Sequence, residues 1–203
     1  MKTILFQGDS VTDCGRRREE DGSLGGGYPS EVCDLMEAAQ PGAFRFLNRG
    51  ISGDRVRDLR RRWQADCMEL QPDVVSILVG VNDTWRRYDR NDITRDEAFA
   101  EDYRAILTQC RAVGIKCLLM TPFLLDTKPE VTRMREDLSG KQAVVRALAQ
   151  EFDAALLDAD DLFAQEVREQ NKAPAAFARD GVHPTAEGHS LLAKWVRAAL
   201  QAC

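Results

Sequence analysis

Five short apolar runs constrain this chain more than anything else in it. Asp73–Val79 (Asp-Val-Val-Ser-Ile-Leu-Val) is the clearest, rich in β-branched residues and nearly unbroken by polar ones. Thr3–Gln7, Phe44–Asn48, Lys116–Thr121 and Ala154–Asp158 are the others. A strand with one wet face alternates apolar and polar residues. A continuous run marks a strand covered on both faces, as in a parallel sheet.

Helical patterns fill the intervals. Pro29–Ala39 opens on a proline near its first turn. Arg55–Leu70 places Val56, Leu59, Trp63, Cys67 and Leu70 on one face. Asp96–Val113 does the same with Phe99, Tyr103, Ile106, Leu107 and Cys110, and Gly114 ends it. Ser139–Phe152, Leu162–Asn171 and Thr185–Ala202 complete the set, the last with Pro184 and Glu187 as start signals. Strand–helix alternation predicts an α/β fold: a three-layer α/β/α sandwich on a five-stranded parallel sheet. A length of 203 residues suits one domain spanning 1–203.

Ligands of such sheets sit outside the carboxyl ends of the strands. The segments expected there are Gly8-Asp9-Ser10, Gly50-Ile51-Ser52-Gly53-Asp54, Gly80-Val81-Asn82-Asp83 and Thr121-Pro122-Phe123. The irregular stretch 121–137 is long for a surface loop and reads as a lid or contact element.

Composition narrows the function classes. With 44% apolar and 30% charged residues the chain is an ordinary globular one. A net charge of −5 argues against nucleic acid as a partner. Arginine clusters at 16–18, 60–62 and 86–87 read as solvated faces. No stretch approaches the roughly 20 apolar residues of a membrane helix, so no membrane is expected. The apolar start is too short for a signal peptide, which predicts a cytoplasmic protein. Six cysteines (14, 33, 67, 110, 117, 203) show no metal-ligand spacing and read as reduced packing residues, Cys14 included despite its nearness to Ser10.

Chemistry concentrates at two points. The chain has two histidines. His183 lies three residues after Asp180, a spacing that lets the carboxylate hold one imidazole nitrogen and leaves the other for a proton. His189 lies inside the last helical pattern and reads as structural. Ser10 sits where a strand gives way to a turn, with Gly8 permitting the tight geometry. A serine, a histidine and an aspartate suffice for nucleophilic acyl transfer once the fold joins them. Oxyanion donors are also needed. The Asn82 side chain, the Gly53 amide and the Ser10 amide are the candidates. Each of these residues alone has a plain alternative as a turn, cap or surface residue.

Their order along the chain carries more. Gly8-Asp9-Ser10, Ser52-Gly53-Asp54, Gly80-Val81-Asn82-Asp83 and Asp180-Gly181-Val182-His183 resemble the four sequence blocks of SGNH (GDSL-type) hydrolases. They span nearly the whole chain. Met120-Thr121-Pro122-Phe123, Val81-Asn82-Asp83-Thr84-Trp85 and Arg179-Asp180-Gly181-Val182-His183-Pro184 are similar to one branch, the intracellular acetyl-xylooligosaccharide esterases. The resemblance implies a flavodoxin-like sheet and a catalytic set of Ser10, His183 and Asp180. It further implies an oxyanion hole of Ser10, Gly53 and Asn82, deacetylation of short xylan-derived sugars, and homo-oligomers. No metal or organic cofactor is implied. One departure stands out: that branch carries a tryptophan before the aspartate, where this chain has Arg179.

The substrate is less defined. Asp9, Arg55, Trp85 and Arg179 are candidate substrate contacts. Trp85 fits a sugar face or simple packing, and Arg55 fits a substrate contact or a plain surface role. Arg86, Arg87 and Tyr88 make a polar, cationic rim suited to a hydroxylated, acetylated substrate. Phe123-Leu124-Leu125 points the other way, toward an acyl groove, or toward an oligomer contact. A lysophospholipase or thioesterase with the same residues is the alternative enzyme. A non-catalytic flavodoxin-like binding module is the alternative of another class, though a Gly-x-Gly-x-x-Gly phosphate loop is missing after the first strand.

Overall fold

The computed structural model describes all 203 residues. Five parallel strands form one sheet: β1 (Lys2–Gly8), β2 (Phe44–Asn48), β3 (Val74–Leu78), β4 (Lys116–Met120) and β5 (Ala155–Leu157). Their spatial order is β2-β1-β3-β4-β5. All five fall within a residue or two of the apolar runs. Helices cover both faces, which explains the unbroken runs: side chains of alternating residues enter two separate cores. Ile4, Phe6, Val74, Leu78, Leu118 and Met120 join one cluster. Leu5, Val75, Ile77 and Leu119 join the other.

The first core is closed by α2 (Tyr28–Ala39), α8 (Ala159–Glu169) and α9 (Ala186–Leu200). The second is closed by α3 (Val56–Trp63), α5 (Asp96–Val113) and α7 (Arg135–Phe152). The apolar stripes read from α3 and α5 are buried as expected. Val56, Leu59, Trp63, Phe99, Tyr103 and Ile106 are at most 1% exposed. Past Trp63 the pattern continues as a π-helical turn, Gln64–Met68. No helix is long and apolar enough to cross a membrane.

Four expectations are corrected. First, α1 (Ser10–Asp13) and α4 (Val81–Arg90) leave the ends of β1 and β3 almost at once. Asn82 therefore stands on a helix's first turn rather than in a loop. Second, α7 begins at Arg135, four residues earlier than expected. Gly140 lies inside the helix, where a side chain would collide with the Asp96 carboxylate. Third, the 121–137 stretch is no open lid. Thr121–Leu125 is buried, the Leu125 amide donates to the Gly181 carbonyl (2.8 Å), and α6 (Pro129–Thr132) follows. Phe123, Leu124 and Leu125 are 3%, 1% and 4% exposed, so they serve neither as an acyl groove nor as an exposed contact. Fourth, not every clustered arginine is solvated. Arg16 is 9% exposed and donates through Nε to the Gly50 carbonyl, and Arg62 turns inward.

The strand order reverses between β1 and β3. The chain runs from β1 outward to β2, then returns to place β3 on the other side of β1. The crevice of an open α/β sheet lies at this switch point. Ser10 leaves one of its two strands and Asn82 the other.

Gly8 makes the first of these exits possible. A methyl group there would collide with the Leu78 carbonyl oxygen and the Thr12 hydroxyl. Overpacking of this kind costs about 1–3 kcal/mol or more. Gly8→Ala is expected to lower unfolding free energy by at least that amount in urea titration; an unchanged midpoint would show that the β1–β3 junction relaxes freely.

Candidate active site

The last turn of the chain before α9 is built around one carboxylate. The Ala178–Pro184 bridge closes a short excursion that holds Asp180 and His183. Asp180 Oδ1 accepts from the amides of Val182 (3.0 Å) and His183 (2.8 Å). Its Oδ2 lies 2.6 Å from His183 Nδ1. An ionised carboxylate only accepts, so Nδ1 carries the proton and Nε2 is left as an acceptor. Ser10 Oγ lies 2.9 Å from that Nε2, across 173 residues of sequence. The structure thus brings Ser10, His183 and Asp180 into one hydrogen-bonded line.

The two acid–base partners shift each other. Burial would raise the Asp180 carboxyl. The hydrogen bonds from His183 and from the Val182 amide outweigh it and hold the group well below the usual carboxylate range. The same bond from Asp180 raises the His183 imidazole above its ordinary value, against partial desolvation. The imidazole is half exposed, with 51% of its side-chain surface open.

Three side chains arrange the neighbouring loop. Ser10 opens α1, so its amide has no helical partner. Gly53 sits in a turn closed by the Asp54 amide on the Ile51 carbonyl (3.1 Å). Its φ of +90° suits glycine, and nothing stands within 4 Å of where a side chain would begin. Asp13 Oδ2 pins this turn by accepting from the Ser52 amide (2.9 Å), the Ser52 hydroxyl (2.8 Å) and Arg18 (2.8 Å). Burial opposes its charge, but these bonds still keep its pKa low. Asn82 Nδ2 donates to the Asp54 carbonyl (3.1 Å), and Asn82 Oδ1 accepts from Arg86 (3.4 Å). One Nδ2 hydrogen is committed to Asp54, which leaves the second for another acceptor. Arg62 holds the rear of the turn through Asp54 (2.8 Å), Gln7 (2.9 Å) and Asp66 (2.9 Å).

Two expected substrate contacts are corrected. Asp9 is 1% exposed. Its side chain caps α1 by accepting from the Val11 amide (3.1 Å), so it turns away from any ligand. Burial pushes its pKa up to about 7. Arg55 has only 11% of its side chain exposed, and its guanidinium lies 2.8 Å from Asp92 and 3.9 Å from Asp58. That charge is engaged across the start of α3. Trp85 and Arg179 do border the site. The Trp85 ring centre is 6.4 Å from that of His183, and Arg179 is exposed beside Asp180.

His189 packs as a buried polar residue. Nδ1 accepts from the Tyr28 amide (3.1 Å), Nε2 faces Cys14 Sγ (3.5 Å), and burial lowers its pKa to about 4. The sequence pattern missed Asp13, Arg62 and Asp83. Asp83 is buried under Arg55 and Lys141 and accepts from the Val56 amide (3.2 Å), and burial raises its pKa to about 8. Aspartates inside the sequence blocks were the available signal, but only the fold supplies their partners.

A serine, an imidazole and a carboxylate in one hydrogen-bonded line at the carboxyl ends of the strands is the arrangement that nucleophilic acyl transfer uses. The chain belongs to the GDSL-like lipase/acylhydrolase family, whose profile matches residues 6–191. It is a carboxylic ester hydrolase. It is 37% identical to the acetylxylan esterase of Geobacillus stearothermophilus over 200 residues, covering 94% of this chain and 90% of that one. A crystal structure of a catalytic mutant of that enzyme superposes with a TM-score of 0.89 at 35% identity, covering 98% and 94% of the two chains. A GDSL-like lipase of Parabacteroides merdae superposes with a TM-score of 0.92 at 32% identity, covering 100% and 96%. The Geobacillus catalytic mutants replace a serine, an aspartate and a histidine.

Two measurements check the electrostatics. With two histidines in the chain, NMR titration resolves both. His183 is expected to titrate above 6.5 and to drop in Asp180→Asn, while His189 stays near 4. Equal values for both rings would contradict the geometry. Asp9 supplies the second. Its folded pKa of about 7 exceeds the ordinary 3.8, so the unfolded chain ionises first and stability erodes as pH climbs between the two values. Asp9→Asn keeps an acceptor for the Val11 amide. It is expected to raise the melting temperature more at pH 8 than at pH 5; an equal gain at both would refute the buried, proton-holding carboxyl.

Proposed function

We propose that the protein is a serine esterase that removes acetyl groups from short carbohydrate esters such as acetylated xylooligosaccharides. The observation that carries this is the Ser10–His183–Asp180 line, with contacts of 2.9 and 2.6 Å. Ser10 Oγ attacks the ester carbonyl as its proton passes to His183 Nε2. The Oγ–carbon bond forms, and the carbonyl π pair moves onto oxygen. Asp180 keeps Nδ1 protonated and offsets the positive imidazolium. The amides of Ser10 and Gly53 and the free Asn82 N–H hold the oxyanion. The carbon–alcohol bond then breaks, and His183 returns the proton to the leaving sugar hydroxyl. Water, deprotonated by His183, repeats the attack on the acyl-enzyme and releases acetate and Ser10. No step needs a cofactor.

Substrate class rests on the surroundings. Trp85 offers an aromatic face one ring from His183, and aromatic faces suit sugar rings. Phe123–Leu125 is consumed by the core. That segment therefore lines no groove of the kind a lysophospholipase or thioesterase would need for a long acyl chain. Likeness to an acetylxylan esterase supports the sugar reading, and a cytoplasmic, homo-oligomeric enzyme is part of the same proposal, as the resemblance to the acetyl-xylooligosaccharide branch implies.

Ser10→Ala is expected to abolish turnover of p-nitrophenyl acetate, and Asn82→Ala to lower kcat by roughly 100- to 1000-fold. Acetate is expected to be released faster than octanoate, and acetylated xylooligosaccharides to be substrates. Wild-type rates in Ser10→Ala would overturn the mechanism. Preference for octanoate, with acetylated sugars inert, would overturn the substrate class.

A further inference from the structure

Arg179 has a place that no other cation on this edge shares. The Gly181 amide donates to the Ala178 carbonyl (3.1 Å), which puts Arg179 and Asp180 at the corner of one turn. The Ala178–Pro184 bridge then closes the same excursion around His183. Arg179 is exposed there, and no protein acceptor lies within hydrogen-bond or ion-pair distance of its guanidinium.

The arginines of the strand-end loops are engaged. Arg18 is bound to Asp13, Arg62 to Asp54, Arg55 to Asp92, and Arg16 to the Gly50 carbonyl. Arg86 is bound to Asp89 and reaches Asn82. The carboxylates are equally spent. Asp9 is buried, Asp13 and Asp54 are paired, and the Asp180 oxygens are taken up by His183 and the amides of Val182 and His183. In a chain that carries 33 acidic against 28 basic side chains, Arg179 thus stands beside Asp180 and His183 as an exposed guanidinium with no ion-pair partner. The Geobacillus acetyl-xylooligosaccharide esterase has a tryptophan immediately before the aspartate changed in its catalytic mutant. A guanidinium at this place offers anion recognition that an indole cannot, since the planar fork matches a carboxylate in two hydrogen bonds.

We propose that Arg179 makes this enzyme selective for acetylated oligosaccharides that carry a carboxylate, that is, a uronic acid substituent close to the acetyl group. The proposal rests on the carbohydrate-esterase reading above. A sugar ring against Trp85 places its acetyl ester at Ser10, and the carboxylate of an adjoining uronic acid meets Arg179. The contact is solvent-exposed, so its effect is modest and salt-sensitive.

The test compares kcat/KM for acetylated xylooligosaccharides with and without a glucuronic acid branch, in wild type, Arg179→Gln and Arg179→Lys, at low and high salt. The wild type is expected to favour the uronate ester by about 3- to 10-fold at low salt, and less at high salt. Arg179→Gln is expected to lose that preference through KM, and Arg179→Lys to keep part of it. Equal use of the two sugars by the wild type, or a preference that survives in Arg179→Gln, would overturn the proposal and leave the carbohydrate reading intact. Hydrolysis of p-nitrophenyl acetate with both sugars inert would overturn both.

Discussion

The Asp180 carboxylate is the interaction on which the rest of the site depends. It accepts three hydrogens, two from amides and one from the imidazole it serves. The amide bonds fix the carboxylate in its own turn, so the imidazole bond has one geometry. Buried or shielded carboxylates are costly unless so satisfied. Because the carboxylate stays ionised, His183 Nδ1 stays protonated, and Nε2 alone faces Ser10. A single satisfied anion therefore sets the tautomer, the ring orientation and the direction of proton flow.

Behind that line lies a second layer of charge that positions rather than reacts. Asp13 ties the exit of β1 to the turn carrying Gly53, through Ser52. Arg62 joins Gln7 of β1 to Asp54 of that turn. Asn82 joins α4 to the same Asp54 by its carbonyl, and Asp83 caps the start of α3. Three strand ends meet through these bonds. Apolar contacts alone would bring the ends close but would not fix donors to the fraction of an ångström that oxyanion stabilisation needs. The cores supply the sheet, and the polar contacts supply the register of the site.

Much of this was legible in the sequence, and the boundary has a physical cause. The five strands, and α2, α3 and α5 nearly to the residue, follow from local periodicity, which the chain states outright. Ser10, Gly53, Asn82, Asp180 and His183 were legible because their types match a chemistry and their order matches a family. Asp9 and Arg55 were misjudged as substrate contacts because both neighbour reacting residues in sequence. In space, Asp9 turns inward to cap α1, and Arg55 turns to Asp92, 37 residues further on. Phe123–Leu125 looked exposed because it lies in an irregular stretch, yet its partners, such as Phe163 at 4.7 Å between ring centres, come from a distant helix. Long-range pairing decides direction, and periodicity does not encode it.

Asp9 shows how the layers interact. Its carboxyl, raised to about 7 by burial, and the His183 imidazole, raised above its ordinary value by Asp180, feel each other's charge. An ionised Asp9 favours the protonated imidazole, and a protonated imidazole favours the ionised Asp9. Each charge thus biases the other, though burial is the larger cause for Asp9 and the Asp180 hydrogen bond for His183. Burying a carboxyl directly before the nucleophile costs stability near neutral pH. The same burial lets its oxygen cap the one-turn helix that Ser10 opens. The buried acid and the placement of Ser10 beside His183 have one origin in the tight exit from β1.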